Sequence, residues 1–229
     1  MSGIRPKQIL TNSSTSLGYI AKLLRMPGST ASVNRVSYSS ELLPGLTWGI
    51  MDTGTQPIGW RTRGDEVVHI LHADNEPDVR VTVDGNTMPM LPGDSLTIGG
   101  QSSVGLSHGV LALHAQSDSG GSRPAGLPGH GPEDFDGFNR RTLCATGPHI
   151  HLERWKLTVP HTIEVKMRDQ AAMVVIFGKI SFTHDGSIET LGPGESVVYS
   201  DGQVQAVPDG LAYVAIVRKT NWDHTDFAL

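Results

Sequence analysis

A single cysteine, Cys144, stands in a chain of 229 residues, so no disulfide can close within it. Cysteine usage therefore implies no oxidising compartment. Long apolar runs are missing as well, and none approaches the ~18 residues of a membrane-spanning helix. The opening Met1-Ser2-Gly3-Ile4-Arg5-Pro6-Lys7 leads into no apolar run of signal-peptide length. Together these absences predict a cytoplasmic protein with no membrane partner. Basic charge is short too: 18 Lys and Arg against 23 Asp and Glu give a net charge of −5, which argues against nucleic acid as a partner. There is no Gly-rich phosphate loop, no Gly-x-Ser-x-Gly elbow and no paired-cysteine motif, so the signatures of nucleotide-cradling, serine-hydrolase and thiol-redox chemistry are absent.

What the chain has in quantity is turns, with 27 Gly and 14 Pro. It also has a repeat. Asp84-Gly85 is followed after six residues by Pro92-Gly93-Asp94, and Asp185-Gly186 after six by Pro193-Gly194-Glu195, an offset of 101. Each Asp-Gly follows alternating β-branched sequence, Val79–Val83 and Ile180–His184, which is a hairpin signal. Downstream, Gly109–Leu113 lines up with Gly210–Val214. Upstream the offset becomes 105, so that Glu66–Ala73 faces Ala171–Gly178 and Asn34-Arg35 faces Asn139-Arg140. The chain therefore divides into an N-terminal arm (1–33), a first all-β unit (34–116), a linker (117–138) and a second all-β unit (139–229). Nine of the 21 residues in 117–137 are Gly or Pro, the composition of a solvated linker or a long loop able to act as a lid. In the arm, Leu17, Ile20, Ala21 and Leu24 share one face of a short helix over 16–26 that Pro27-Gly28 stops. Such a helix serves as a cap over an open barrel end or as a dimer contact.

Each unit (strand, Gly turn, strand, Pro-Gly-acid turn, strand, over Val79–Ile98 and Ile180–Tyr199) resembles a cupin. The resemblance implies an all-β fold of two tandem jelly-roll-like barrels, a bicupin, and by analogy a homodimer. The stretches Gly137–Cys144 and His151–Thr158 also resemble segments of mannose-6-phosphate isomerase-like proteins. A cupin barrel carries a divalent metal on His-x-His, a glutamate and a third histidine. In the first copy Glu66 takes the glutamate position, but the imidazole positions fall on Trp60 and Thr62, or Gly59 and Arg61, and near Val104. In the second copy they fall on Ala171, on Val165 and Met167 or Glu164 and Lys166, and on Gln205. The resemblance thus implies barrels without the usual metal cofactor.

Candidate chemistry lies elsewhere. His149-Ile150-His151-Leu152-Glu153 is the densest set of ligand-type residues. On a strand, His149, His151 and Glu153 share a face with Trp155 and Leu157. That face suits an acid–base pair, with burial raising the Glu153 pKa, or else a divalent metal held by all three. The first-copy counterparts, Leu46 and Trp48, carry no such chemistry, which favours the second barrel. Glu66 is the next candidate, as a buried carboxylate partnered by Arg61 or Arg63. Trp60, Arg61, His161 and Gln205 complete the expected substrate-binding residues. His69 and His72 fall on opposite faces of one strand, so they are poor co-ligands and His69 is expected outside the first barrel. Cys144 is expected to be a small apolar filler, and His114 to pack on a closing strand.

These readings favour a small-molecule-binding bicupin that acts as a non-redox isomerase, cyclase or lyase by acid–base chemistry in one barrel, on a sugar or small metabolite. Two alternatives stand beside it: a non-catalytic ligand-binding bicupin, and a metal-dependent enzyme using His149, His151 and Glu153.

Overall fold

The structure is a computed structural model and describes residues 34–39, 45–74, 79–122, 124–146, 149–184 and 187–219. The arm expected to form a short helix lies outside the described residues, as does the Asp185-Gly186 turn. Everything described is strand, turn or irregular, and no helix is long and apolar enough to cross a membrane.

The first unit comprises β1 (Asn34–Ser39), β2 (Leu46–Asp52), β3 (Ile58–Arg61), β4 (Glu66–Ala73), β5 (Arg80–Val83), β6 (Asn86–Pro89), β7 (Asp94–Ile98), β8 (Ser103–Leu106) and β9 (Val110–Ser117). The linker contributes β10 (Gly129–His130) and β11 (Glu133–Asp136). The second unit comprises β12 (Asn139–Thr146), β13 (His151–Leu157), β14 (His161–Phe177), β15 (Ile180–His184), β16 (Ser187–Leu191), β17 (Ser196–Pro208) and β18 (Ala212–Arg218). A sheet ordered β1-β2-β9-β4-β7-β10 faces a sheet ordered β3-β8-β5-β6, and these form the first barrel. One eight-stranded sheet, β11-β12-β13-β18-β14-β17-β15-β16, makes the second. All of these pairings are antiparallel.

The repeat survives down to single hydrogen bonds. Gly93 N donates to Ile70 O and Gly194 N to Val175 O, each at 2.8 Å. Asp94 and Glu195 each accept from a backbone N–H three residues upstream, again at 2.8 Å. The Asp-Gly signal is equally literal. Asp84 and Gly85 have φ of 49° and 84°, the left-handed pair that a two-residue hairpin between Val83 and Asn86 requires.

Three apolar cores result. Val68, Ile70, Val81, Leu96 and Ile98 fill the first barrel, and Leu157, Val175, Phe182, Leu191 and Val214 fill the second. A third core lies between the barrels, where Leu46, Trp48, Ile50 and Val67 pack against Ile150, Leu152, Val174 and Val217. Trp48 Nε1 also donates to Ser196 Oγ across the seam at 3.0 Å.

Two expectations change here. The 117–138 segment is no bare linker: β10 pairs with β7 of the first barrel, and β11 pairs with β12 of the second. The alignment of β2 with β13 is also one residue off. Gly49 opposes His114 as Glu153 opposes Ile216, while Val68 opposes His114 as Met173 opposes Ile216. The counterparts of His151 and Glu153 are therefore Thr47 and Gly49. Leu46 and Trp48 belong to the opposite face, because a one-residue slip exchanges the two faces of a strand.

Candidate functional site

Alternation along β13 sends Leu152 into the seam between barrels and His151, Glu153, Trp155 and Leu157 into the second barrel. The apolar end of that interior is Leu157, Val175 and Phe182. The other end is polar. Glu153 is 2% exposed. Its Oε1 lies 2.6 Å from His151 Nε2 and 2.6 Å from Arg141 Nη2, and its Oε2 accepts from Trp155 Nε1 at 3.0 Å. Arg141 reaches it from β12, where it stands opposite Trp155, and its guanidinium carbon lies 6.0 Å from the Trp155 ring centre. His161, at the start of β14, stacks on Trp155 with 4.1 Å between ring centres. The His161 Nδ1 lies 2.9 Å from Asp136 Oδ2, on β11 of the former linker. Arg218, at the end of β18, stands opposite His151 on one side and Ala171 on the other.

The charge state of Glu153 differs from the sequence expectation. Burial, the largest single influence, pushes its pKa up. The hydrogen bonds from His151 and Arg141, the charge of Arg218 and the Trp155 N–H together outweigh it and hold the carboxyl down at about 2. At neutral pH Glu153 is an anion that only accepts, so the His151 nitrogen facing it carries the proton. The other ring nitrogen is left for a ligand.

Of the residues expected from sequence, His151, Glu153 and His161 therefore meet. His149 does not join them, because it sits in the bend before β13 rather than on the strand. Among the described residues no three His, Cys, Asp or Glu side chains are arranged to hold a metal ion. Gln205 faces outward: it is exposed, while Ala206 next to it is buried in the core. Arg218 and Asp136 were not among the sequence candidates, whereas the Arg140-Arg141 pair was readable as a holder of a phosphate or carboxylate. The pairing of β12 and β18 with β13 brings in the two arginines, and the contact with His161 brings in Asp136.

The first barrel holds a smaller polar site. Glu66 is fully buried and accepts from Trp60 Nε1 at 3.0 Å and Gln116 Nε2 at 3.3 Å. Trp60 thus stands beside Glu66 in the first barrel. Arg61 and Arg63, expected as partners of Glu66, are both exposed, and Arg61 Nε donates to Gln101 O at 3.3 Å. His69 does lie outside the barrel, in the seam, where its Nδ1 is 2.9 Å from Ser95 Oγ. Burial, with Arg154 and His130 adding to it, pushes the His69 pKa down to about 3. Beside it, a cavity of about 260 Å³ is lined by Ser95, His130, Leu143 and Cys144 among others. Burial pushes the Cys144 thiol up to about 12, which makes it a filler rather than a nucleophile.

No protein-family model matches the sequence, and no characterised protein matches it at the sequence level. Solved structures do match in shape. A cupin 2 conserved barrel domain protein from Leptotrichia buccalis superposes with a TM-score of 0.56 at 12% identity, over 93% of this chain and 99% of its own. AerE from Microcystis aeruginosa gives a TM-score of 0.66 at 6% identity, over 95% and 98%. Mannose 6-phosphate isomerase from Bacillus subtilis gives 0.58 at 11% identity, over 75% and 74%. These likenesses, all at 12% identity or below, show the fold: two tandem cupin-type barrels, a bicupin.

The cupin fold implies a divalent metal, and the residues at the ligand positions do not fit one. In the first barrel Trp60 spends its N–H on Glu66, the Thr62 hydroxyl donates to Gly99 O, and Val104 is core. At these positions the first barrel offers a carboxylate and no imidazole, which is a poor divalent donor set. In the second barrel Ala171 offers no donor atom and Gln205 faces out.

Proposed function

We propose that the protein is a small-molecule-binding bicupin and a non-redox enzyme of the isomerase, cyclase or lyase type, working by proton transfer in its second barrel on a sugar or small metabolite. The observation that carries this reading is a buried carboxylate, Glu153, hydrogen-bonded at 2.6 Å to His151. An anion beside one imidazole nitrogen fixes the tautomer and stabilises the imidazolium, so that the other nitrogen exchanges protons with a bound substrate. Trp155 and His161, tilted 33° to each other, supply an aromatic wall against which a ring or a planar intermediate rests. In this assignment His151 is the catalytic residue and Glu153 the positioning one. Glu66 with Trp60 and Gln116 forms a second polar pocket in the first barrel.

The test is a thermal-shift screen of sugars, sugar phosphates and small carboxylates, followed by detection of product from each hit by NMR. His151→Ala is expected to lower kcat on the order of 10²-fold or more, with a much smaller change in KM, while Glu153→Gln shifts the pH profile of kcat. Turnover at the parental rate in the double variant would sink the assignment. One observation favours binding without turnover instead: both Glu153 oxygens are already occupied by protein donors. Hits recovered unchanged, however long they are incubated, would decide for that reading.

A further inference from the structure

The two barrels differ at one pair of positions in a way that bears on the ligand. In the first barrel Glu66 and Gln116 stand opposite each other on β4 and β9, and the amide donates to the carboxylate at 3.3 Å. In the second barrel the same register pairs Ala171 with Arg218 on β14 and β18. By sequence the second barrel has lost the carboxylate and gained a cation facing its place. Ala171 is fully buried and lines the interior with Met173 and Val175. The Nε atoms of Arg218 and Arg141 are both buried and have no hydrogen-bond partner. Arg141 already gives Nη2 to Glu153, and Glu153 is the buried anion that both arginines flank. Two half-buried guanidinium groups, each with a buried and unused Nε donor, face one buried carboxylate. Arg141 Nη1 also lies 3.8 Å from Asp134 Oδ2, but that carboxylate is exposed, so the barrel interior sets one anion, Glu153, against two cations and has room for another.

We propose that the second barrel binds its ligand through an oxyanion, a carboxylate or a phosphate, seated over Ala171 between Arg218 and Arg141 and next to the free nitrogen of His151. The ligand's anionic group takes the place that the Glu66 side chain occupies in the first barrel. This rests on the second barrel being the ligand site, and it narrows the ligand class from sugars and metabolites in general to acids and phosphate esters. It also assigns Arg218 as a specificity residue.

The experiment is titration calorimetry of the intact chain with benzoate, malonate and inorganic phosphate, against benzamide, malonamide and glucose. At least one of the three anions is expected to bind, and a carboxylate that binds is expected to do so at least 10-fold more tightly than its amide. The first two anions against the third separate a carboxylate from a phosphate site. Arg218→Gln, which installs the first barrel's residue, is expected to weaken the anion about 10- to 100-fold, while Arg218→Lys retains part of the affinity. Ala171→Glu, which supplies an internal carboxylate, is expected to abolish anion binding with the far-ultraviolet circular dichroism unchanged. Equal affinity for acid and amide, no binding by any of the three anions at millimolar concentration, or an Arg218→Gln dissociation constant equal to the parent's would each overturn the proposal. Neutral sugars that bind and depend on His151 but not on Arg218 would overturn it while leaving the acid–base reading in place. Anion binding lost with Arg218, but with no turnover, would do the reverse.

Discussion

Glu153 stays ionised inside an apolar barrel because donors converge on its two oxygens from β12 and β13, with the Arg218 charge on β18 close by. Its pKa is depressed from 4.5 to about 2 on folding. A depressed carboxylate contributes stability that is fully present above its unfolded pKa and is lost as pH falls through the folded one. The contribution is worth about 3 kcal/mol. Urea midpoints measured between pH 6 and pH 2 should therefore fall below about pH 4.5 in the parent, and fall less in Glu153→Gln, which starts lower. Parallel pH curves for the two proteins would contradict this account. At this scale the sequence was partly legible. The His-x-Glu-x-Trp alternation from residue 151 already pointed one way, and that much is local. The direction of the Glu153 shift was not legible, since it depends on a competition between burial and donors that lie on other strands.

At the scale of elements, the segment between the barrels does more than its composition suggests. Gly and Pro predict solvated chain, and most of the segment is exposed, yet it is pinned to the second barrel at one close approach. Leu143 N donates to Pro132 O at 3.0 Å, and a Cβ on Gly131 would sit 1.6 Å from Leu143 O. Here glycine serves close approach rather than flexibility. Gly131→Ala should destabilise by about 1–3 kcal/mol, whereas Gly129→Ala, with nothing within 4 Å of the added methyl, should fall within about 0.5 kcal/mol of the parent. Denaturant midpoints of the two variants check this, and equal midpoints would show that the segment does not hold β12. The segment also carries Asp136 to His161, so it helps to build one wall of the proposed site. Register was the other element-scale surprise. Matching β2 to β13 by sequence offset put Trp48 opposite the acid–base pair, whereas strand pairing puts it in the seam.

At the scale of the whole molecule, the two barrels share a core. Leu46, Trp48, Ile50 and Val67 from one half are buried against Leu152, Val174, Ala215 and Val217 from the other, so neither half completes its burial alone. Ile50 is 1% exposed, and Ile50→Ala should cost about 2–5 kcal/mol. Because the seam couples the halves, unfolding in urea should be one transition, coincident by tryptophan fluorescence and circular dichroism, in both parent and variant. Two separated transitions would show that the barrels stand independently.

The sequence by itself determined most of the strands, the first Asp-Gly turn, both Pro-Gly-acid turns and the duplication, and hence two like barrels, because period-two alternation and turn chemistry act within a few residues. It also determined that the cupin ligand positions lack their histidines. Only the tertiary structure decided which face of β2 enters the barrel, how the 117–138 segment is shared between the two sheets, and which arginines reach Glu153. Those outcomes depend on pairing between strands far apart in the chain, where a one-residue change of register exchanges inside for outside and local sequence carries no record of the partner.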